Sequence, residues 1–93
     1  MGMRFQVMRR CHRTPSEQRY IWASMEVFSR LPLERREAVR SLIGELAETP
    51  EEGRALFDVA VRGIAPARIW ERTGIPVQRL YRLREGFYDR LPL

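Results

Sequence analysis

Apolar residues recur along this chain at helical spacing, and period-two alternation never lasts more than a few positions. In residues 15–30, Ile21, Met25 and Phe28 form a stripe that Tyr20 and Trp22 widen. In residues 33–48, Val39, Leu42, Ile43 and Leu46 fall at i, i+3, i+4 and i+7, with Arg35, Arg36, Arg40 and Glu45 outside the stripe. This is the clearest amphipathic pattern of the chain. Residues 50–62 place Leu56, Val59 and Ala60 on one face and Phe57 and Val61 on the adjacent one, so this helix is apolar around most of its circumference and belongs at the centre of a bundle. A short helix over 66–73 and a last one over 77–90 complete the set. The last turns Leu80, Leu83 and Phe87 inward and leaves Gln78, Arg79, Tyr81, Arg82 and Glu85 toward solvent.

The punctuation agrees with the periodicity. Thr14-Pro15-Ser16-Glu17 and Thr49-Pro50-Glu51-Glu52 each offer a threonine N-cap, a proline at the first helical position and an acid three residues after the cap. Pro32 ends the first helix, because the residue before a proline is pushed out of the α region. Gly63 stops the third, Pro66 opens the fourth, and Gly74-Ile75-Pro76 separates the fourth from the fifth. The expectation is an all-α fold, a small bundle of about five helices in a single domain over residues 1–93. Residues 15–48 would form a helical hairpin and residues 49–91 a helix-turn-helix module, two helices around a glycine turn. Residues 1–13 carry Arg4, Arg9, Arg10 and Arg13 without an acid, and the alternation in Phe5-Gln6-Val7-Met8 is too short for a strand. They are expected to form a basic, flexible arm. The strings Phe28-Ser29-Arg30-Leu31-Pro32-Leu33 and Tyr88-Asp89-Arg90-Leu91-Pro92-Leu93 echo one another as two similar helix stops.

Composition narrows the function. Ninety-three residues make one folding unit, and 44% apolar against 31% charged residues is ordinary globular composition. All 17 basic residues are arginine, against 12 acids, for a net charge of +5. Codon bias in a GC-rich bacterium or its phage and selection for phosphate recognition by the planar guanidinium both account for this, and they are compatible. The charge favours a polyanionic partner, nucleic acid before membrane, since no long helix pairs a basic face with a bulky lipid-facing one. No apolar run is long enough for a membrane span, no secretion signal is visible, and Gln6 stands where a myristoylation motif wants Ser or Thr. The expected location is cytoplasmic. Cys11 and His12 are the single cysteine and single histidine; they are too few for a zinc site, and as neighbours they point apart rather than forming a nucleophilic pair. Without a metal-ligand set, a glycine-rich phosphate loop or a Schiff-base lysine, the chain is not expected to be an enzyme or to need a cofactor. Glu51 and Glu52 sit at a helix start, where acids favour the dipole.

The most informative segment is TPEEGRALFDVAVRGIAPARIWERTGIPVQRLYRLREGFYDRL, residues 49–91. Ile69, Gly74, Ile75, Leu80 and Leu83 stand where a helix-turn-helix needs its turn glycine and shared apolar core. The segment resembles region 4 of bacterial sigma factors and is similar to the C-terminal DNA-binding domain of two-component response regulators. In both, a helix with an E-x-x-x-A/V-L pattern leads to a glycine, then to an I-x-E-x-x-G helix, here Ile69 to Gly74, then to the helix that reads DNA. The Gly-Ile-Pro-Val turn, Gly74 to Val77, is a form often seen in extracytoplasmic-function sigma factors. Trp70 stands where these families place a small residue and Thr73 where leucine is common. Residues 1–48 look neither like sigma region 2 nor like a receiver domain.

The resemblance implies a transcription regulator of bacterial or phage origin that binds duplex DNA with the 77–90 helix in the major groove. Gln78, Tyr81 and Arg82 are the expected base contacts, and Arg68, Arg72, Arg79 and Arg84 the expected phosphate contacts. The alternative is a helical protein-interaction module that binds RNA polymerase or another protein, such as a phage assembly component, through an aromatic anchor of Tyr20, Trp22, Trp70 and Tyr88. A homodimer through residues 15–48 is expected if their apolar stripe exceeds what the rest of the chain covers.

Overall fold

The structure, a computed structural model, describes residues 5–93. It contains five α-helices, α1 (Pro15–Glu26), α2 (Leu33–Leu46), α3 (Pro50–Ala60), α4 (Pro66–Thr73) and α5 (Val77–Arg90), with one turn of 3-10 helix at Phe28–Arg30. No strand occurs among the described residues, so the all-α expectation holds.

Both threonine-proline starts are built as their local chemistry dictates. Thr14 Oγ1 accepts from the Glu17 N–H at 3.1 Å, and Glu17 Oε1 accepts from the Thr14 N–H at 2.9 Å, a reciprocal capping box. Thr49 Oγ1 caps the Glu52 N–H in the same way, but the Glu52 carboxylate takes the N–H of Glu48 instead of Thr49. Helix ends departed further from expectation. The segment expected as one helix over 15–30 breaks at Val27, and the 3-10 turn lets Phe28 meet Phe57 edge-on, ring centroids 5.4 Å apart. The Arg40 guanidinium lies 5.4 Å from one ring and 5.3 Å from the other, which favours that aromatic pair over a continued helix. Similarly, α3 stops at Ala60 rather than 62, because Gly63 adopts a left-handed φ of 69° and turns the Ile64 N–H back to the Asp58 carbonyl.

Helices α3 and α5 pack on each other and share α2 and α4 as neighbours, so α3 holds the central place its all-round apolarity implied. The larger apolar cluster joins Ile21, Met25, Val39, Leu42, Ile43, Leu56, Leu83, Phe87, Tyr88 and Leu91, which ties α1, α2, α3 and α5 together. A smaller one joins Ala55, Val59, Ile69 and Leu80, with Ile64 and Ile75 at its edge, and fastens α4 between α3 and α5. The Val39–Leu46 stripe packs within one chain, with Leu46 partly buried at its end, while Tyr20, Val27 and Leu33 of residues 15–48 stay exposed.

The N-terminal lead-in differs most from expectation. Arg4 lies outside the described residues, but residues 8–13 are strapped onto the bundle rather than standing off it as an arm. Gln18, 1% exposed, accepts from the Met8 N–H at 2.8 Å and donates to the Met8 and Arg13 carbonyls at 3.2 and 3.0 Å. Arg13 donates to the Tyr88 and Leu91 carbonyls at 3.1 and 2.6 Å, so its guanidinium caps the C-terminus of α5 where the helix dipole favours a cation. Asp89 Oδ1 accepts from both the Cys11 thiol at 3.0 Å and the His12 N–H at 2.6 Å.

Gln18 is the part of this strap on which a substitution acts most cleanly. Gln18→Met keeps the volume but leaves the Met8 N–H and two carbonyls without their partner, so urea denaturation should show a loss of about 2–4 kcal/mol. A loss below about 0.5 kcal/mol, the level of an ordinary surface change, would show that the strap adds nothing to the fold.

Candidate nucleic-acid interface

The surface of interest is organised by the connection between α4 and α5, only Gly74, Ile75 and Pro76 long. Gly74 takes the left-handed conformation, φ 78°, which an L side chain adopts at a cost, and its N–H closes the last turn of α4 on the Trp70 carbonyl at 2.8 Å. The Thr73 hydroxyl donates to the Ile69 carbonyl at 2.7 Å and accepts from the Ile75 N–H at 3.2 Å. Thr73 thus stabilises the turn by hydrogen bonding. Trp70 is 52% exposed, so its bulk lies outside the α4 contact instead of spreading the helices apart. Inside, Ile69 and Leu80 close on Ala55 and Val59 with Ile75 at the rim, while Leu83 belongs to the larger cluster.

With Leu80, Leu83 and Phe87 buried, α5 presents Gln78, Tyr81, Arg82 and Glu85 at i, i+3, i+4 and i+7 as one polar row. The three expected base-contact residues are therefore brought together. With Glu85 and Arg10 they line a surface hollow of about 410 Å³. Arg82 forms no ion pair among the described residues, and the Arg84 guanidinium lies 5.3 Å from the centre of the Tyr81 ring.

The four expected phosphate contacts separate into two groups. Arg68 and Arg72 are exposed on α4. Arg72 lies 3.5 Å from Asp58, a carboxylate that Arg62 already approaches at 3.0 Å. Arg79 points elsewhere: its Nε and Nη2 grip the two oxygens of Glu52 at 3.0 and 2.9 Å, and Glu48 stands 3.6 Å away. Periodicity correctly placed Arg79 off the core, but the N-terminal end of α3 lies on that side and takes its charge. The grip of Arg79, joined by the Glu48 N–H, holds the Glu52 carboxyl below its ordinary value, and Glu52 raises Arg79 in turn. Arg84 is partly buried beside Tyr81 rather than fully outward.

The aromatic side chains do not converge on one anchor. Tyr20 and Trp70 are exposed, Trp22 is half-buried with its ring 5.6 Å from Phe5, and Tyr88 lies in the core, where burial pushes its hydroxyl up to about 12. Burial, first, and the bond to Asp89 raise the Cys11 thiol to about 11, the opposite of what a nucleophile needs. No cluster of metal-binding side chains occurs among the described residues.

Two features here escaped the sequence. Arg10 beside the α5 row and the Glu52–Arg79 grip both join residues far apart in the chain; the pairing of acids at 48 and 52 was the one signal that an arginine is received there. Comparison with known proteins finds no family model, curated relative or solved structure that matches this chain, so the resemblance of residues 49–91 rests on its motif residues alone.

Two pH measurements follow from these groups. Glu52 is lowered in the folded protein, so its pairing stabilises the fold above the ordinary value of 4.5 and the benefit is lost as pH falls through the lowered value. Stability by urea denaturation should decline more steeply below pH 4.5 in wild type than in Glu52→Gln; parallel curves would contradict the grip. Cys11 is raised, so its contribution is complete below 9.0 and fades as pH climbs toward about 11. At pH 9.0 a thiol reagent should modify the folded protein more slowly than the urea-unfolded chain, and equal rates would contradict burial of the thiol.

Proposed function

We propose that the protein binds duplex DNA with α4 and α5 acting as a helix-turn-helix, and that it serves as a transcription regulator of bacterial or phage type. The observation that carries this reading is the row Gln78, Tyr81 and Arg82, exposed together beside half-buried Glu85 on a helix whose opposite face is anchored in the core. A helix about 10–12 Å across fits a major groove about 12 Å wide, and its first turns meet base edges. In that placement Arg82 takes guanine through a bidentate pair and Gln78 takes adenine. Tyr81, with Arg84 against its ring, supplies a flat apolar contact. Arg68 and Arg72 on α4 meet the phosphates and set register. Arg79 acts indirectly, by holding α5 on the start of α3 through Glu52. The net charge of +5 supports a polyanionic partner.

Trp70, with about half its surface exposed on α4, favours a second reading in which that helix docks on a protein such as RNA polymerase. Fluorescence anisotropy with labelled duplexes separates the two. Arg72→Ala should weaken binding to every sequence alike and lower the log–log salt slope by about one unit. Arg82→Ala should cost about 1–3 kcal/mol on a selected site and relax preference at one base pair. Trp70→Ala should leave both unchanged. Wild-type binding no tighter than about 100 μM at low salt would end the DNA reading, because even non-specific association is normally tighter. Loss of polymerase binding in Trp70→Ala would then establish the second.

A further inference from the structure

Arg10 reaches the α5 row from the other end of the chain. It lines the same hollow as Gln78, Tyr81, Arg82 and Glu85, is exposed, and forms no ion pair among the described residues. The backbone that carries it is held at several points. Immediately after it, the Cys11 thiol and the His12 N–H both donate to Asp89 Oδ1, at 3.0 and 2.6 Å. On its other side the Met8 backbone is bonded in both directions to Gln18. A guanidinium carried on a segment fixed this way meets a ligand with less loss of freedom than one on a loose arm.

Charge gives the reason for a cation here. On its own row α5 offers Arg82 and Glu85, whose charges cancel, so that face by itself has little attraction for a polyanion. Arg10 makes the hollow positive. It also stands on a segment outside the helix, at the rim of the row, where a duplex seated on α5 would present its backbone rather than its base edges.

We propose that the strap of residues 8–13 is part of the DNA-binding surface, with Arg10 contacting a phosphate beside α5 and Asp89 acting as the positioning residue that sets where Arg10 stands. This rests on the DNA-binding reading and adds to it a contact from outside the helix pair. A phosphate needs charge but not the guanidinium's planar fork, so Arg10→Lys serves as the conservative variant.

The test measures full-length wild type, Arg10→Ala, Arg10→Lys, Asp89→Ala and the Arg10→Ala/Asp89→Ala double variant by fluorescence anisotropy on two unrelated duplexes across a salt series. Thermal melts verify that each variant is folded. Arg10→Ala should bind both duplexes more weakly by the same factor and lower the salt slope by about one unit, so that wild type loses roughly threefold more affinity than the variant over a fourfold rise in salt. Arg10→Lys should keep the wild-type slope. Asp89→Ala should lower the slope as Arg10→Ala does, and the double variant should be no worse than either single one, because both remove the same contact. A wild-type slope in Arg10→Ala, with Arg72→Ala still lowering it, would overturn the strap contact while leaving the α4–α5 reading in place. Additive losses in the double variant would overturn the role of Asp89. Absence of wild-type binding would overturn the DNA reading and this inference with it.

Discussion

The structure depends on α5 being buried along one face and polar along the other. Leu80, Leu83, Phe87 and Tyr88 are all but inaccessible to solvent, and Leu91 just beyond the helix is fully covered. α2, α3 and α4 pack against this helix, and the N-terminal strap is bonded to its last turn and to Leu91. Burying a large apolar side chain stabilises by about 1.5–3 kcal/mol, so a row of them on a 14-residue helix sets its rotation about its own axis firmly. Once that rotation is fixed, the direction of Gln78, Tyr81, Arg82 and Glu85 is fixed as well. The core thus determines what the surface presents.

Around this helix the arginines do different work according to what lies opposite them. Arg13 caps the α5 carbonyls, Arg40 stacks on Phe28 and Phe57, and Arg79 is gripped by Glu52. These are internal roles, and they use the guanidinium's planarity and fork of donors, which a lysine would not reproduce. Among the described residues Arg10, Arg68 and Arg82 are exposed without an ion pair, as are Arg9, Arg19, Arg30 and Arg54, and Arg72 shares Asp58 with Arg62. A uniform arginine content therefore resolves into a structural set and an outward set, the latter spread over the surface, with Arg10 on the strap, Arg68 and Arg72 on α4 and Arg82 on α5 and with Arg19, Arg30 and Arg54 on other elements.

Much of the fold was legible in the chain wherever local chemistry decided it. The starts at Thr14 and Thr49 and the turn at Gly74 need only a few consecutive residues, and each appears where those residues stand. Helix ends were legible only in part, because Phe28 leaves its helix to reach Phe57, a residue 29 positions away that no local pattern indicates. The strap was opaque for the same reason: Gln18 and Asp89 hold it, and Asp89 lies 77 residues from the His12 N–H that it receives. Of the candidate site, periodicity placed Leu80, Leu83 and Phe87 inward and Gln78, Tyr81 and Arg82 outward on α5, but Tyr88, expected as part of an exposed anchor, is buried, and Glu85 is half-buried. Periodicity could not distinguish Arg79, which faces α3, from Arg82, which faces solvent, since that depends on where a neighbouring helix lies.

The proposed DNA-binding role puts the duplex on the outward row of α5. Mapping backbone amide shifts by NMR during titration with a short duplex tests it most directly, because each perturbation is assigned to a position. Shifts should concentrate at Gln78, Tyr81, Arg82 and Glu85 and extend to Arg68 and Arg72, while α1 and the exposed side of α2 stay still. Perturbations centred on α1 and α2, or none at any position with the duplex in excess at low salt, would contradict it.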